Sequence, residues 1–497
     1  MQSEVLANFF LSKSQQQKLK ILKYLESGRV TLALLEEELG LSTRQIKEFT
    51  LGLMEDIQTD SMEKQPLLVW NRGEIQFVPK LSSSEYVELM ADFRNRYLTN
   101  TSLFQALLFV LEKRTFSIMI MASELAYSES YTYKLFSKLK ELFQFIDLGI
   151  QFTKKDETMI QLVGNESTIR ILHYLSIAVA SKGSHWLFKT MSEKEIMSTQ
   201  AYLGLNRYDK LSPIGKSRVN YIVAVYELAL KNGFKLSQLD EEVIQLGEVM
   251  DKEINLNLYL KHVQINNKIN RSSHDEFIHL TFLADYFTQE LRSDVEKEKL
   301  GRHLFSMNTN PIVKNCKQLL ALVTEDYQLE STSYYLLLYS LCNRFVVIHY
   351  FNLYKFMPLV KVPPIRGKIK YFVESCIEQS FSDYRKAPSF EKINYSFTQI
   401  ITSYLIVMLP VAQKVYVEFF HRPEYKLIIE NAIRHNYTSN VLKITENYDE
   451  ADIVISDTHG YSNSQYFYFK DVFDQDSWEE LGLYLNRMIS KEIIARS

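Results

Sequence analysis

The stretch AYSESYTYKLFSKLKELF (residues 126–143), with LGIQFTKKDETMIQLVGNESTIR (148–170) after it, decides the fold. Its first part predicts one amphipathic helix. Ser128 stands where a side-chain oxygen would accept a backbone N–H, and Thr132, Leu135, Leu139 and Leu142 recur at helical spacing. The polar flank carries Ser130, Tyr131, Lys134 and Lys138, all able to donate to phosphates or base edges. Upstream, residues 116–125 predict a second short helix, so the pair has the outline of a helix-turn-helix. Residues 149–163 predict a two-stranded hairpin with Lys154 and Lys155 at its tip, a wing beside the helix pair.

The same plan is legible nearer the N-terminus. Residues 14–25 form an amphipathic pattern with Leu19, Leu22 and Leu25 inward, and residues 32–39 a second helix stopped by Gly40. Ser42 caps a third, over 43–54, with Ile46, Phe49 and Leu53 facing the core. In LLVWNRGEIQFV (67–78), Asn71-Arg72-Gly73 signals a tight turn between alternating strands. Residues 84–143 repeat the plan with a longer lead helix. The predicted DNA contacts are Ser42, Thr43, Arg44, Gln45, Lys47 and Arg72 in the first module. In the second they are Ser128, Ser130, Tyr131, Lys134, Lys138, Lys154 and Lys155. Glu36-Glu37-Glu38 reads as a solvated helix face.

A chain of 497 residues has room for three to five domains at about 150 residues each. Its formal charge of −3 excludes wholesale coating of nucleic acid but leaves room for a local basic face. Only 15 glycines and 10 prolines stand against 31 tyrosines and 30 phenylalanines, which favours long packed helices over loops and sheets. Cys316, Cys342 and Cys376 are widely spaced; they fit a reducing cytosol and speak against a disulfide framework or structural zinc. The N-terminus has no secretory pattern, and the apolar run 397–409, closed by Pro410, is short for a membrane span. A buried helix is the reading, with no membrane association. There is no phosphate-binding glycine loop, nucleophile elbow or HExxH, so no enzyme, cofactor or metal is predicted. His274 and His279 bracket DEFI at a spacing that puts no two ligands on one helical face.

From residue 166 to 410 the pattern is almost continuously helical and divides near 291–301. One helix begins after Ser in each half, over 217–231 and 331–354, with breaks at Ser212-Pro213 and at VPPIRG (362–367). Beyond Pro410, KVYVEFF, VLKI, ADIVISD and QYFYFKD read as strands and 423–436 as a helix; Ser477 caps a last helix to Ile494. Strands alternating with helices imply a small parallel α/β domain. Asp452 and Asp457, flanking IVIS, read as solvated strand ends.

In this order the segments resemble the Mga/AtxA family, regulators of virulence and metabolism in Gram-positive bacteria. STRQIKEFTLGLM resembles the family's first recognition helix, and YSESYTYKLFSKLKELF its second. LVGNESTIRILHYL resembles its I-x-G-x-E-x-x-I-R junction, here Val163-Gly164-Asn165-Glu166 through Arg170. The resemblance implies a mainly α, multidomain fold. Two N-terminal winged helix-turn-helix modules (1–80 and 81–165) would precede two helical phosphotransferase-system regulation domains (166–290 and 291–410). A small α/β enzyme IIB-like domain (411–497) would follow. It implies a cytoplasmic transcriptional regulator that binds double-stranded promoter DNA, forms a homodimer and takes signals from a phosphotransferase-system phosphocarrier.

Two departures from the family pattern stand out. Where the first bundle would carry a regulatory histidine the chain reads Asn220-Tyr221-Ile222, and in the second Tyr339-Ser340-Leu341-Cys342-Asn343. The candidate phosphorylation sites are therefore His349, with Arg344 as a partner for the phosphate, and His173. The loop Phe420-His421-Arg422-Pro423 lacks the phosphate-accepting cysteine of enzyme IIB. Two alternatives stay open: an antiterminator-like RNA-binding regulator, and a sugar-phosphotransfer protein acting through the C-terminal domain. The first module lacks the β-rich character of the former, and the missing cysteine counts against the latter.

Overall fold

A computed structural model describes residues 9–58, 67–71, 73–181, 185–202, 207–253, 256, 258, 260, 271–357, 368–408, 413–439, 441–458 and 465–496. Among these the protein is mainly helical, with three small sheets. It divides into two compact units, Met1–Glu296 with Phe345–Lys361, and Lys297–Arg344 with Val362–Ser497.

In the first unit one plan occurs twice. It runs α1 (Lys13–Tyr24), β1 (Arg29–Thr31), α2 (Leu32–Leu39), α3 (Thr43–Gln58), β2 (Leu67–Asn71) and β3 (Glu74–Val78). After α4 (Ser83–Thr99) it runs again as α5 (Ser102–Lys113), β4 (Thr115–Phe116), α6 (Ile118–Leu125), α7 (Glu129–Ile146), β5 (Gln151–Lys154) and β6 (Ile160–Val163). In both copies the short strand pairs antiparallel with the second hairpin strand, giving the orders β1-β3-β2 and β4-β6-β5.

The repetition extends to the caps. Thr31 and Ser117 each accept the N–H of the third residue on, from Leu34 (3.3 Å) and Ile120 (3.2 Å), and start an eight-residue helix. That helix ends in a left-handed residue, Gly40 (φ 63°) or Ala126 (φ 56°). Ser42 or Ser128, two residues later, then caps the long helix.

Several boundaries differ from the sequence reading, each for a local reason. Phe116 is a strand residue buried against Phe109, Phe136 and Phe152, so α6 starts only after the Ser117 cap. α1 starts at Lys13 because Ser12 and Gln15 form a reciprocal capping box. The long helices run on to Gln58 and Ile146, and the expected long lead helix is two helices, α4 and α5, with Thr101 capping the second. Asn71 pairs with Glu74, which leaves a two-residue turn with Gly73 at φ 86°; Arg72 lies outside the described residues.

The helical body of this unit comprises α8 (Glu166–Ser181), α9 (Glu193–Tyr202), α10 (Pro213–Lys231), α11 (Glu241–Glu253) and α12 (Arg271–Phe287). Ser212-Pro213 is not a break but the start of α10, with Ser212 as cap and proline in the first turn, so Ser217 is helix interior. Its interior holds a charge relay. Arg114, just after α5, donates to Glu166 (3.1 Å); Glu166 also takes the Arg170 Nε–H (2.9 Å). The other edge of the Arg170 guanidinium engages both Glu276 oxygens and the Phe234 carbonyl (3.1 Å). Arg114, Arg170 and Glu276 are all buried.

Beside the relay, Ser167 gives its one proton to the Phe351 carbonyl (3.0 Å). His279 Nε2 must therefore be the donor to Ser167 (2.7 Å), leaving Nδ1 to accept from the Tyr226 hydroxyl. Burial, with the charge of Arg170, holds His279 neutral by pushing its pKa well down. Burial, with the charge of Arg114, pushes His173 down to about 3.

The second unit contains most of α13 (Asp294–Ser306), then α14 (Pro311–Asp326), α15 (Ser331–Phe345), α16 (Lys368–Ser380) and α17 (Phe390–Met408). Gly301 of α13 lies against the Tyr335 carbonyl, where any Cβ would collide with backbone. The helix predicted over 331–354 widens after Phe345 into a π-turn (Val346–Tyr350) and ends before Asn352 (φ 63°), which leads into a 3₁₀ turn (Leu353–Lys355). These turns belong to the first unit, where the Tyr350 hydroxyl donates to Glu242 (2.7 Å). VPPIRG lies outside the described residues, as do Leu409 and Pro410; Phe397, Ile401 and Leu405 of the apolar run are buried in α17.

The chain ends in β7 (Gln413–Glu418), α18 (Tyr425–Asn436), β8 (Leu442–Ile444), β9 (Ile453–Ser456), β10 (Gln465–Tyr468) and α19 (Gln475–Arg496). All four strands are parallel, in the order β10-β9-β7-β8. Asp474, not Ser477, caps α19: its carboxylate accepts the Ser477 N–H (3.2 Å) and hydroxyl (2.6 Å). The strand-end carboxylates are not merely solvated. Asp452 accepts from the Lys414 N–H (2.8 Å), and Asp457 from those of Phe420 (2.7 Å) and His421 (2.9 Å).

Two outcomes follow from these local constraints. Nothing crowds the place of a Gly40 Cβ, so Gly40→Ala should carry only the left-handed backbone penalty, about 1 kcal/mol in denaturant unfolding. Ala126→Gly should instead raise stability by a smaller amount. His173 and His279 have depressed folded pKa values, so they contribute stability above the usual 6.5 and lose it as the pH falls, when the unfolded chain takes up the protons. His173 should cost about 2 kcal/mol by pH 5, and His279 should act in the same direction. Melting temperature should therefore fall between pH 7 and 5, less steeply for His173→Phe; a flat parent profile contradicts this.

Candidate nucleic-acid interface

The third helix of each repeat presents a sharply divided surface. On α7, Thr132, Leu135, Leu139 and Leu142 are buried, while Ser128, Ser130, Tyr131, Lys134 and Lys138 are exposed. The faces fall where the helical spacing put them. Lys134 and Lys138 stand one turn apart and form no ion pair among the described residues. Ser128 is occupied in part by capping, accepting from the Tyr131 N–H (3.4 Å) and lying 3.3 Å from the Ser130 hydroxyl. Tyr131 is steadied edge-on by Tyr127, whose hydroxyl donates to Gln105 (3.0 Å).

The hairpin behind α7 ends in a closed turn. Lys155 N–H donates to the Met159 carbonyl (2.9 Å), and the Asp156 carboxylate accepts from Met159 (2.7 Å) and Thr158 (2.9 Å). Those backbone donors hold the Asp156 carboxyl below its usual range. Lys154 and Lys155 are both exposed, but they share the tip with an ionised Asp156 and with Glu157. The wing is therefore of mixed charge, not the basic tip that the lysine pair alone suggested.

On α3, Ser42, Thr43, Arg44, Gln45 and Lys47 are all exposed, but most are engaged locally. Ser42 donates to the Gln45 side chain from its N–H (3.0 Å) and its hydroxyl (2.9 Å), and Thr43 donates to Glu36. Lys47 lies over the Trp70 ring, 5.7 Å from its centre. Glu36 and Glu38 are also drawn into bonds, Glu38 from the Tyr24 hydroxyl (3.0 Å), so the acidic run is only partly a solvated face. Acidic groups so close to the start of α3 weaken its attraction for phosphate.

Sequence reasoning passed over Tyr133 and Met119. Tyr133 is 60% exposed on α7 beside Lys134, and Met119 is 67% exposed in the first turn of α6. A large side chain at a position where the helical period demands polarity was the available signal.

The candidate phosphorylation sites fare differently. His173 is buried against Phe188 and offers a phosphate donor no access. His349 is half-buried in the π-turn between the Phe345 and Tyr350 rings, and it lies in the first unit rather than in the second bundle. Arg344, expected to pair with a phosphate there, donates to the Ser396 hydroxyl (2.9 Å). Among the described residues no His/Cys/Asp/Glu group could hold a metal, and no helix is long and apolar enough to cross a membrane.

No curated protein matches the chain. Residues 88–176 match the family model described as the Mga helix-turn-helix domain. The match begins within α4, spans the whole second repeat and ends in α8, beyond the Glu166–Arg170 pair. A helix-turn-helix domain similar to that of the Mga regulators is thus present in this chain.

Proposed function

We propose that the protein is a transcriptional regulator of the Mga/AtxA type that grips promoter DNA through tandem winged helices, the second dominating. The observation that carries this reading is the exposed Lys134–Lys138 pair on the third helix of the repeat that the family match covers. Those lysines suit phosphates, and the hydroxyls of Ser130 and Tyr131 suit phosphates or base edges. α3 offers fewer uncommitted donors and acts as the weaker reader.

The rest of the chain sets activity in this proposal. Residues 166–290 and 291–410 act as regulation domains, and 411–497 as an enzyme IIB-like domain that supports a homodimer. A phosphotransferase-system phosphocarrier acting at His349 would work by repulsion. Burial lowers the His349 pKa, an effect that the nearby charges of Asp240 and Glu242 offset only in part, and a phosphate there would oppose both carboxylates. It would also strain the adjoining Tyr350–Glu242 bond.

Losing a phosphate-contacting lysine weakens binding on every sequence and removes about one unit of salt slope per contact. Lys134→Ala with Lys138→Ala should therefore bind genomic promoter fragments far more weakly in gel shifts across a salt series, with a slope shallower by about two. Its melting temperature should match the parent's. Parental affinity and slope in the double variant would remove α7 from the interface.

A further inference from the structure

Between the two repeats the covalent connection is slight. α4 belongs to the first repeat: Tyr86, Phe93 and Tyr97 are buried in its core. The Tyr86 hydroxyl donates to the Leu22 carbonyl (2.7 Å), Arg96 to the Asp56 carbonyl (3.1 Å), and the Tyr97 hydroxyl to the Asp56 carboxylate. Only Asn100 and Thr101 then separate α4 from α5. A two-residue link, taken alone, is a hinge, although Gln105 of α5 also donates to the Thr99 carbonyl (3.2 Å) and α4 packs against α8.

A second tie spans the same gap. Phe10 meets Phe104 of α5 edge-on at 5.4 Å, and Phe9 stacks on Phe145 of α7 at 6.1 Å. The next residue, Leu11, is buried in the first repeat's core, and Ser12 caps α1. Four consecutive residues thus run from the second repeat into the first. They reach the reading helix α7 itself near its C-terminal end, where Phe145 stands two turns beyond Lys138 on the same helical face. Two attachments on either side of a hinge remove its freedom to swing.

We infer that Phe9 and Phe10 form an aromatic clasp that fixes α3 relative to α7. The DNA target would then be a bipartite duplex site of one set spacing rather than two independently read elements. This inference rests on the proposed DNA-binding role of the two repeats. Phe9 and Phe10 are positioning residues in it; they need touch no DNA. A fixed geometry raises the effective concentration of the second contact once the first is made, but only at the matching separation. Half a helical turn of extra DNA, about five base pairs, turns the second element to the far side of the duplex.

The test uses the full chain and the duplex it selects best from a random pool, with footprints locating the two contacted elements. Five base pairs are then inserted between them, and affinities are compared at one salt concentration. The parent should lose at least tenfold on insertion. Phe9→Ala with Phe10→Ala should bind the uninterrupted site severalfold more weakly and lose less than threefold on insertion. Phe145→Ala removes the stack from a side chain that is 64% exposed, sparing the core should the first variant fold poorly, and should reduce the penalty in the same direction. Three results would overturn the clasp: a parent indifferent to the insertion, a single uninterrupted footprint of one module, or a Phe145→Ala variant with the full parental penalty. A parent that binds no duplex at any salt concentration would sink the DNA-binding reading, and the clasp with it.

Discussion

Four charges, the buried Arg114, Arg170 and Glu276 and the half-buried Glu166, are the constraint on which the first unit depends. Two guanidinium groups and two carboxylates balance, so the cluster carries no net charge into the interior. Such a cluster is tolerable only when complete. Desolvating each ion costs several kcal/mol, returned only if every partner is in place. Backbone fills further valences, with Glu276 taking the Leu236 N–H (2.8 Å) and Arg170 reaching the Phe234 carbonyl, while the buried Arg114 Nη1 has no hydrogen-bond partner among the described residues. The relay joins the end of the second repeat's first helix to α8 and α12, and the neighbouring Ser167–His279–Tyr226 bonds tie in α10 and the 345–361 segment. The helix-turn-helix domain is thus fastened to the helical body by directional polar bonds, which fix one geometry where an apolar contact would permit sliding.

That fastening gives the surface its meaning. An overall charge of −3 supplies no long-range pull toward DNA, so any affinity must come from few, well-placed groups. On α7 Lys134 and Lys138 are free because the core face is filled by its own stripe and Ser128 takes over the capping. On α3 the corresponding polar residues are turned inward on one another and on Glu36. Repetition of fold has not brought repetition of chemistry, and the unequal faces underlie the unequal roles proposed for the two repeats.

Helical faces were legible in the sequence because a 3.6-residue period leaves an unambiguous stripe; Thr132 through Leu142 fell where that period put them. The repeat was legible too, since Gly40 and the Ser42 and Ser128 caps are local signals. Other features depend on distant partners. Phe116 looks helical from its neighbours, but it is claimed by β6 and three aromatic rings. The change to a π-turn after Phe345 has no proline or glycine to announce it, and the segment is held by Ser167 and Glu242, more than 100 positions away. Asp474 rather than Ser477 caps α19 because either residue satisfies the local rule, and only the backbone path chooses. The Glu166–Arg170 pair stood out as a junction, yet its partners Arg114 and Glu276 could not be read from it. Arg114 also holds a left-handed φ of 63°, which nothing in its residue type suggests.

The claim at the centre of this account is that the α7 face meets duplex DNA. Hydroxyl-radical footprinting of the protein tests it side chain by side chain, since Tyr131 and Tyr133 are solvent-exposed and readily oxidised, as is Phe473 in the other unit. On adding a saturating amount of bound duplex, oxidation of Tyr131 and Tyr133 should fall severalfold while that of Phe473 stays unchanged. Undiminished oxidation of both tyrosines, in samples where the DNA is demonstrably bound, would contradict the account.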